Sequence, residues 1–243
     1  MKAIVNIRTI LLFISAFFTL TSQAKDTENQ IQEVAKSLNA SYLADLMVIE
    51  SIFGETIVSE DDRLAFFITG NQTKINNGRR SELAIDYPYE IGDEVVYQFE
   101  VFIPYAYKSD AKGRWSLITQ WHDQPNPDLG ESWNNFPGRS PLVAVYEKVI
   151  DGKQVFGVSY NSGFAPIPLE IGKWNKLRFH FTWSNTSTGN LILSVNGHEE
   201  ISFQGPNMHN EYQHYLKIGL YRHPDITYRN YIFFRNLSIA TIL

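Results

Sequence analysis

The chain has 243 residues, no cysteine, and 26 acidic against 21 basic residues, for a net charge of −5. Disulfides and thiolate metal sites are thereby excluded, and the acidic balance argues against nucleic acid as a partner. A polyanionic ligand would also be repelled at long range unless positive charge is gathered locally, so any site for one must be a basic pocket on an acidic protein.

The N-terminus reads as an export signal. Lys2 and Arg8 form a basic start, Thr9 to Leu20 is an apolar run, and Ser22-Gln23-Ala24 supplies small residues for cleavage. The run is too short to span a bilayer of ~30 Å at 1.5 Å per residue. We therefore expect residues 1–24 to be removed, leaving a soluble monomer without a membrane attachment. Taking 24 from 243 leaves 219 residues, and losing two basic residues brings the net charge near −7. Export without cysteine suits a bacterial periplasm or medium. The length suits a single β domain, since sandwiches run to about 200 to 250 residues.

From Lys25 to about Glu50, Ile31, Val34, Ala35 and Leu38 recur at helical spacing, and Tyr42, Leu43 and Leu46 extend the stripe. This predicts one amphipathic helix packed on the domain. Beyond Ser51 the chain changes to short β-branched and aromatic runs, separated by turn signals at Asn77-Gly78, Asp151-Gly152, Ser162-Gly163 and Asn196-Gly197. The pattern predicts an all-β sandwich. Asn196-Gly197 is the strongest hairpin signal, because both residues tolerate the positive φ of a type I′ turn.

Alternation assigns faces within three of these strands. In Tyr215 to Arg222, Leu216, Ile218 and Leu220 form an apolar face, which puts Tyr215, Lys217 and Tyr221 on the other. In Arg79 to Tyr87, Leu83 and Ile85 point inward, so Arg80, Glu82, Ala84 and Asp86 share the open face and Arg79 has no role. In Arg114 to His122, Trp115, Leu117 and Trp121 alternate with Gln120 and His122. A sheet curved the right way would collect these polar rows on its concave side.

That inventory is an Arg, a Gln, a His, a Lys and a Tyr, with no carboxylate pair and no nucleophile motif. It suits β-elimination from a 4-linked uronate. The C5 proton beside an anionic carboxylate is barely acidic, and donors that neutralise the carboxylate bring an enolate-like intermediate within reach. Gln120 and Arg80 can supply this, while His122 and Tyr221 can act as base and acid.

At these same residues the sequence resembles the heparin lyase I-like and glucuronan lyase polysaccharide lyases. The landmarks are Arg80-Ser-Glu82, Trp115 to His122 followed by Ser140-Pro141, Gly172-Lys-Trp174, Val195-Asn-Gly197 and Lys217-Ile-Gly-Leu-Tyr221-Arg222, in order from roughly Glu55 to the C-terminus. The resemblance implies a β-jelly roll over 51–243, following the helical segment 25–50, with an acidic polysaccharide in its concave groove. It also implies that His122 and Tyr221 are catalytic and that Arg80, Gln120 and Lys217 hold or neutralise the uronate. Glu82, Tyr215, Arg222 and Trp133 are expected substrate-binding residues, Trp133 by stacking on a sugar from a Gly/Asn/Pro-rich loop. Glu82 is better suited to orienting Arg80 than to chemistry. The short chain looks more like the compact glucuronan lyases, with heparin, heparan sulfate or alginate as other substrates.

Stereochemistry leaves the base open. In glucuronate the C5 proton and C4 oxygen leave from one face, so a single tyrosine can serve twice; in iduronate they leave from opposite faces, which requires His122 as a separate base.

The blander readings are that His180, His198, His209, His214 and His223 are surface or hydrogen-bonded structural residues, and that Lys217 and Arg80 are solvated strand charges. No cofactor is expected, although Asp123, Asn126 and Asp128 form a loose oxygen cluster for Ca2+. A non-catalytic carbohydrate-binding jelly roll is the main alternative function. A glycoside hydrolase, which needs two carboxylates about 5 to 10 Å apart, is the weaker one.

Overall fold

The computed structural model describes residues 25–242 except Ala111, Pro137 and Ser162. The expected export signal at residues 1–24 and the Ser162 half of one turn signal lie outside the described residues.

An α-helix over 25–37 packs Val34 and Ala35 against the core, and Leu38, in the turn that follows, joins them. It stops well short of Glu50. Asn39 takes a positive φ of 54°, a single 3₁₀ turn covers Ser41–Leu46, and the chain then enters a strand. The extended helical stripe is thus corrected. Leu43 is buried, but Tyr42 faces outward, where its hydroxyl accepts the backbone N–H of Ile239 at 2.9 Å.

The strands that follow are, in chain order, β1 (Met47–Ile49), β2 (Ile57–Glu60), β3 (Arg63–Ile68), β4 (Arg79–Ile85), β5 (Glu94–Phe102), β6 (Ser116–His122) and β7 (Val143–Ile150). They continue with β8 (Lys153–Tyr160), β9 (Gly163–Ile167), β10 (Trp174–Thr182), β11 (Asn190–Val195), β12 (His198–Gln204), β13 (Tyr215–Arg222) and β14 (Asn230–Ile242). Two seven-stranded antiparallel sheets result. The first runs β1-β4-β13-β6-β7-β8-β9 and the second β12-β11-β10-β5-β14-β3-β2. Neighbours distant in sequence alternate with hairpins, giving a jelly-roll sandwich.

The Asn196-Gly197 turn joins β11 to β12 with φ of 52° and 88°, both positive as the type I′ hairpin demands. Between the sheets lies an aromatic core. Phe181 and Trp183 from β10 and its exit stack at 4.2 Å, and Trp121 of β6 reaches across to within 4.7 Å of Phe179 and 4.8 Å of Phe181. Burying several such rings contributes on the order of 2 kcal/mol each.

Candidate active site

The outer face of the first sheet bears a groove of about 940 Å³, lined among others by Arg80, Gln120, His122, Tyr215, Lys217 and Tyr221. Antiparallel pairing is what assembles this set. On β13, Tyr215 pairs with His122 and Lys217 with Gln120 on β6, while Tyr221 pairs with Arg80 on β4 and Leu117 on β6. Three strands distant in sequence therefore present one row of side chains.

The alternation assumed for β6 fails at its start. Trp121 is in the core as alternation requires, but Ile118, three positions away, joins it there, and Trp115 and Leu117 line the groove together with Gln120 and His122. The cause is an irregularity in pairing with β7 between Leu117 and Thr119, which inserts a residue and moves the preceding side chains to the other face. A matching irregularity in β13 lies between Ile218 and Tyr221. There Gly219 sits at φ 131°, and a Cβ would come 2.1 Å from the Ser81 carbonyl oxygen, so no other residue fits. Trp115 consequently packs edge-on to Tyr221 at 4.8 Å.

The charged groups are held by one another. Lys217 is 3% exposed and Arg80 9%. Both bind Oε2 of Glu50, from Lys217 Nζ at 2.7 Å and from Arg80 Nη1 at 2.5 Å. Glu82, 1% exposed, lies beneath the groove, where Gln120 Nε2 donates to its Oε1 at 2.7 Å and Arg80 Nε stands 3.5 Å from its Oε2. Burial works against the Arg80 charge, but Glu82 and then Glu50 outweigh it, and the guanidinium pKa ends raised. For Glu82 burial dominates and pushes the carboxyl pKa up against the pull of Lys217 and Arg80. The Arg80 guanidinium also lies over the Tyr221 ring, 4.7 Å from its centroid.

His122 is arranged as a neutral imidazole. Its Nδ1 lies 2.7 Å from the Asp123 carbonyl oxygen, which can only accept, so the proton sits on Nδ1 and Nε2 keeps its lone pair. Burial first, and Lys217 second, lower its pKa, in the direction that suits a base. Tyr215 flanks it at 5.7 Å between ring centroids, and Lys217 Nζ lies 5.0 Å from the Tyr215 ring.

The loop between β6 and β7 forms a wall. Arg139 Nε binds Asp123 at 2.5 Å and its guanidinium covers Phe136, while Trp133 packs on Phe136 at 5.3 Å and stays 61% exposed. Asp123 is thus paired with Arg139, and the Asn126 side chain accepts the Asp128 backbone N–H, so two members of the loose oxygen cluster serve the loop itself. Among the described residues no group of three or more His, Asp or Glu is arranged to hold a metal ion.

Two expected substrate contacts are corrected. Arg222, an even position of β13, is 0% exposed and points into the sandwich, with Nη2 donating to the Tyr228 carbonyl. Burial lowers its pKa to about 10. It cannot touch a groove ligand. Glu82 supports Arg80 and Gln120 from below and is not a lining residue. Tyr215 and Trp133 do line the groove, as do Trp115, Phe136, Arg139 and Tyr146.

The residue that sequence reasoning missed is Glu50. It was absorbed into the expected helix, yet Val48-Ile49 is a β-branched pair, and alternation from buried Met47 through Ile49 aims Glu50 outward beside β4. Its backbone N–H donates to the Glu82 carbonyl at 3.0 Å.

Sequence and structure both relate this chain to known proteins. A family model described as "Polysaccharide lyase" matches residues 51–238. Among solved structures, the alginate lyase AlyC3 superposes with a TM-score of 0.61 at 14% identity, covering 87% of this chain and 96% of that one. The endo-β-1,4-glucuronan lyase of the fungus Trichoderma reesei gives 0.56 at 13% identity, covering 81% and 87%. A glycoside hydrolase family 131 catalytic domain from Coprinopsis cinerea gives 0.52 at 13% identity, covering 81% and 78%. At these identities the structures establish the shared fold. No curated protein sequence matches the chain.

Proposed function

Because the chain belongs to the polysaccharide lyase family, we propose that it cleaves a 4-linked polyuronate by β-elimination in this groove, with glucuronan the leading substrate and alginate the second. The observation that carries the reading is the corner formed by Arg80, Lys217 and Gln120, two buried cations and an amide on one groove wall, with Tyr221 to one side and His122 to the other. The alginate reading draws on structural neighbours that are alginate lyases.

A uronate carboxylate at this corner would be neutralised by the two cations, and the negative charge developing on it as C5 loses its proton would be stabilised there. The C5–H electron pair then forms the C4=C5 double bond and the C4–O bond breaks. A proton goes to the departing oxygen. Tyr221, over whose ring the Arg80 guanidinium lies, is the acid that supplies it. In glucuronate, and in mannuronate with the same C4 and C5 configuration, Tyr221 enters as the phenolate, takes the C5 proton and passes it to the departing C4 oxygen, ending as it began. Where the two groups leave from opposite faces, the bare Nε2 of His122 takes it instead.

Hydrolysis is less well served. It requires two carboxylates about 5 to 10 Å apart across the bond, whereas among the described groove-lining residues the one carboxylate is Glu50, bound to both cations. Export is supported by the basic start, apolar run and small residues of 1–24. No helix among the described residues is long and apolar enough to cross a membrane.

The test is incubation of the protein with glucuronan, alginate, heparin, heparan sulfate and hyaluronan while recording ultraviolet absorbance of the unsaturated uronate. A rising signal with at least one polymer is expected. New reducing ends without the chromophore would reject elimination.

A further inference from the structure

We infer that Glu50 is a placeholder for the substrate carboxylate, occupying the Arg80–Lys217 site in the free protein and giving it up when a uronate binds. The inference rests on the reading of that corner as the uronate site.

Geometry supplies the first argument. A single oxygen, Oε2, receives Lys217 Nζ at 2.7 Å and Arg80 Nη1 at 2.5 Å, the contacts a sugar carboxylate would need from the same two cations. Glu50 also lines the groove itself, so the two anions compete for one place.

Charge supplies the second. Arg80 already faces both Glu50 and Glu82, and Lys217 faces Glu50. A third carboxylate added without release would leave surplus negative charge in a poorly hydrated pocket, where charge imbalance is most costly. Exchange of one carboxylate for another keeps the balance.

Burial explains why a placeholder is present at all. Without Glu50 the two nearly buried cations would share Glu82 as their nearby carboxylate, which would destabilise the empty groove. Glu50 stabilises them until substrate takes over, and its own side chain retains 21% exposure, so rotation leads it toward solvent. The backbone does not have to move. It is fixed by the Glu50 N–H to the Glu82 carbonyl at 3.0 Å and by Ser51 Oγ, which donates to the Arg80 carbonyl at 3.3 Å and accepts the Glu82 N–H at 3.1 Å.

The signature is a pair of opposite effects from one substitution. Glu50→Gln lowers the melting temperature, because Lys217 loses its carboxylate and Arg80 one of its two, yet tightens binding of D-glucuronate. When the competent state is only a minor fraction of the free protein, apparent affinity falls by that fraction, so removing the competitor yields about a five- to tenfold gain. The methyl ester of glucuronate, lacking the charge, gains nothing. A structural ion pair would instead show lower stability together with weaker binding.

Calorimetric titration of wild type and Glu50→Gln with D-glucuronate and its methyl ester decides the matter, and unchanged or weaker glucuronate binding in the variant overturns the inference. Should Glu50→Gln not fold, a crystal structure of the wild type soaked with D-glucuronate tests the same point. Glu50 Oε2 is expected to have left both cations, and a bound glucuronate with Glu50 still on Arg80 and Lys217 overturns the proposal. D-glucuronate has no glycosidic bond to lose, so these outcomes stand apart from the lyase assay, whose failure would strike the elimination reading by itself.

Discussion

The central strands of the two sheets bury their residues in different ways. In the second sheet β5, β10 and β11 alternate strictly between buried and partly exposed positions, as a strand with one face on the core and one in solvent must. In the first sheet β4, β6 and β13 are buried at nearly every position, although alternate residues are Arg, Glu, Gln and Lys. These outward polar side chains are covered by one another and by the groove walls. The difference shows where function lies, since a sheet that buries charge on its outer face needs compensating partners there, and those partners form the site.

The largest effect expected from breaking the polar face is on turnover. Tyr221→Phe removes the acid and should lower kcat by about a thousandfold, and His122→Ala by about a hundredfold, in line with general acid–base contributions of 10² to 10⁴. Circular dichroism and melting temperature should stay near wild type in both. Near-wild-type rates in both variants would remove these residues from the mechanism.

Breaking the alternating side should do the reverse. Phe181→Ala deletes a fully buried ring stacked on Trp183 and touching Trp121, and a loss of about 3 to 5 kcal/mol in unfolding free energy is expected by denaturant titration. Activity per folded molecule should be retained.

A third test uses a buried histidine outside the groove. His214 Nδ1 donates to the Tyr212 carbonyl at 3.0 Å and its Nε2 accepts the His209 N–H at 3.0 Å, so the neutral ring is satisfied and a second proton would face a donor. Burial, chiefly, lowers its pKa to about 3. The unfolded chain binds that proton near pH 6.5 and the folded one does not, so stability is full above about 6.5 and falls as pH drops toward 3, by up to about 5 kcal/mol. Melting curves between pH 7 and 4 should show the slope, and His214→Gln should flatten it.

The smallest effect belongs to the rim. Trp133→Ala should raise KM about three- to tenfold and leave kcat unchanged, since an exposed stacking ring contributes on the order of 1 kcal/mol to binding. An unchanged KM would remove Trp133 from the sugar path.

Much of this contrast was legible in the sequence. Tyr215, Lys217 and Tyr221 alternate on one strand and do share the groove, because β13 keeps its period-two pattern against β4 throughout. The Asn196-Gly197 hairpin was readable because its φ requirement is local. Trp115 and Leu117 were put on the wrong face, since a bulge leaves no mark that periodicity can detect. Arg222 was drawn to the substrate by its motif, although its own alternation put it inside. Glu50 was hidden for a tertiary reason. Its role depends on β1 pairing with β4, two segments more than thirty residues apart, and no local pattern announces that Val48-Ile49 will join that sheet.

The claim on which the account depends is elimination without water. Cleavage of glucuronan or alginate in water enriched in a heavy oxygen isotope, followed by mass spectrometry of the fragments, tests it directly. The account predicts unsaturated ends one water lighter than hydrolytic fragments, with no heavy oxygen entering at the broken bond. Saturated ends that carry solvent oxygen would contradict it.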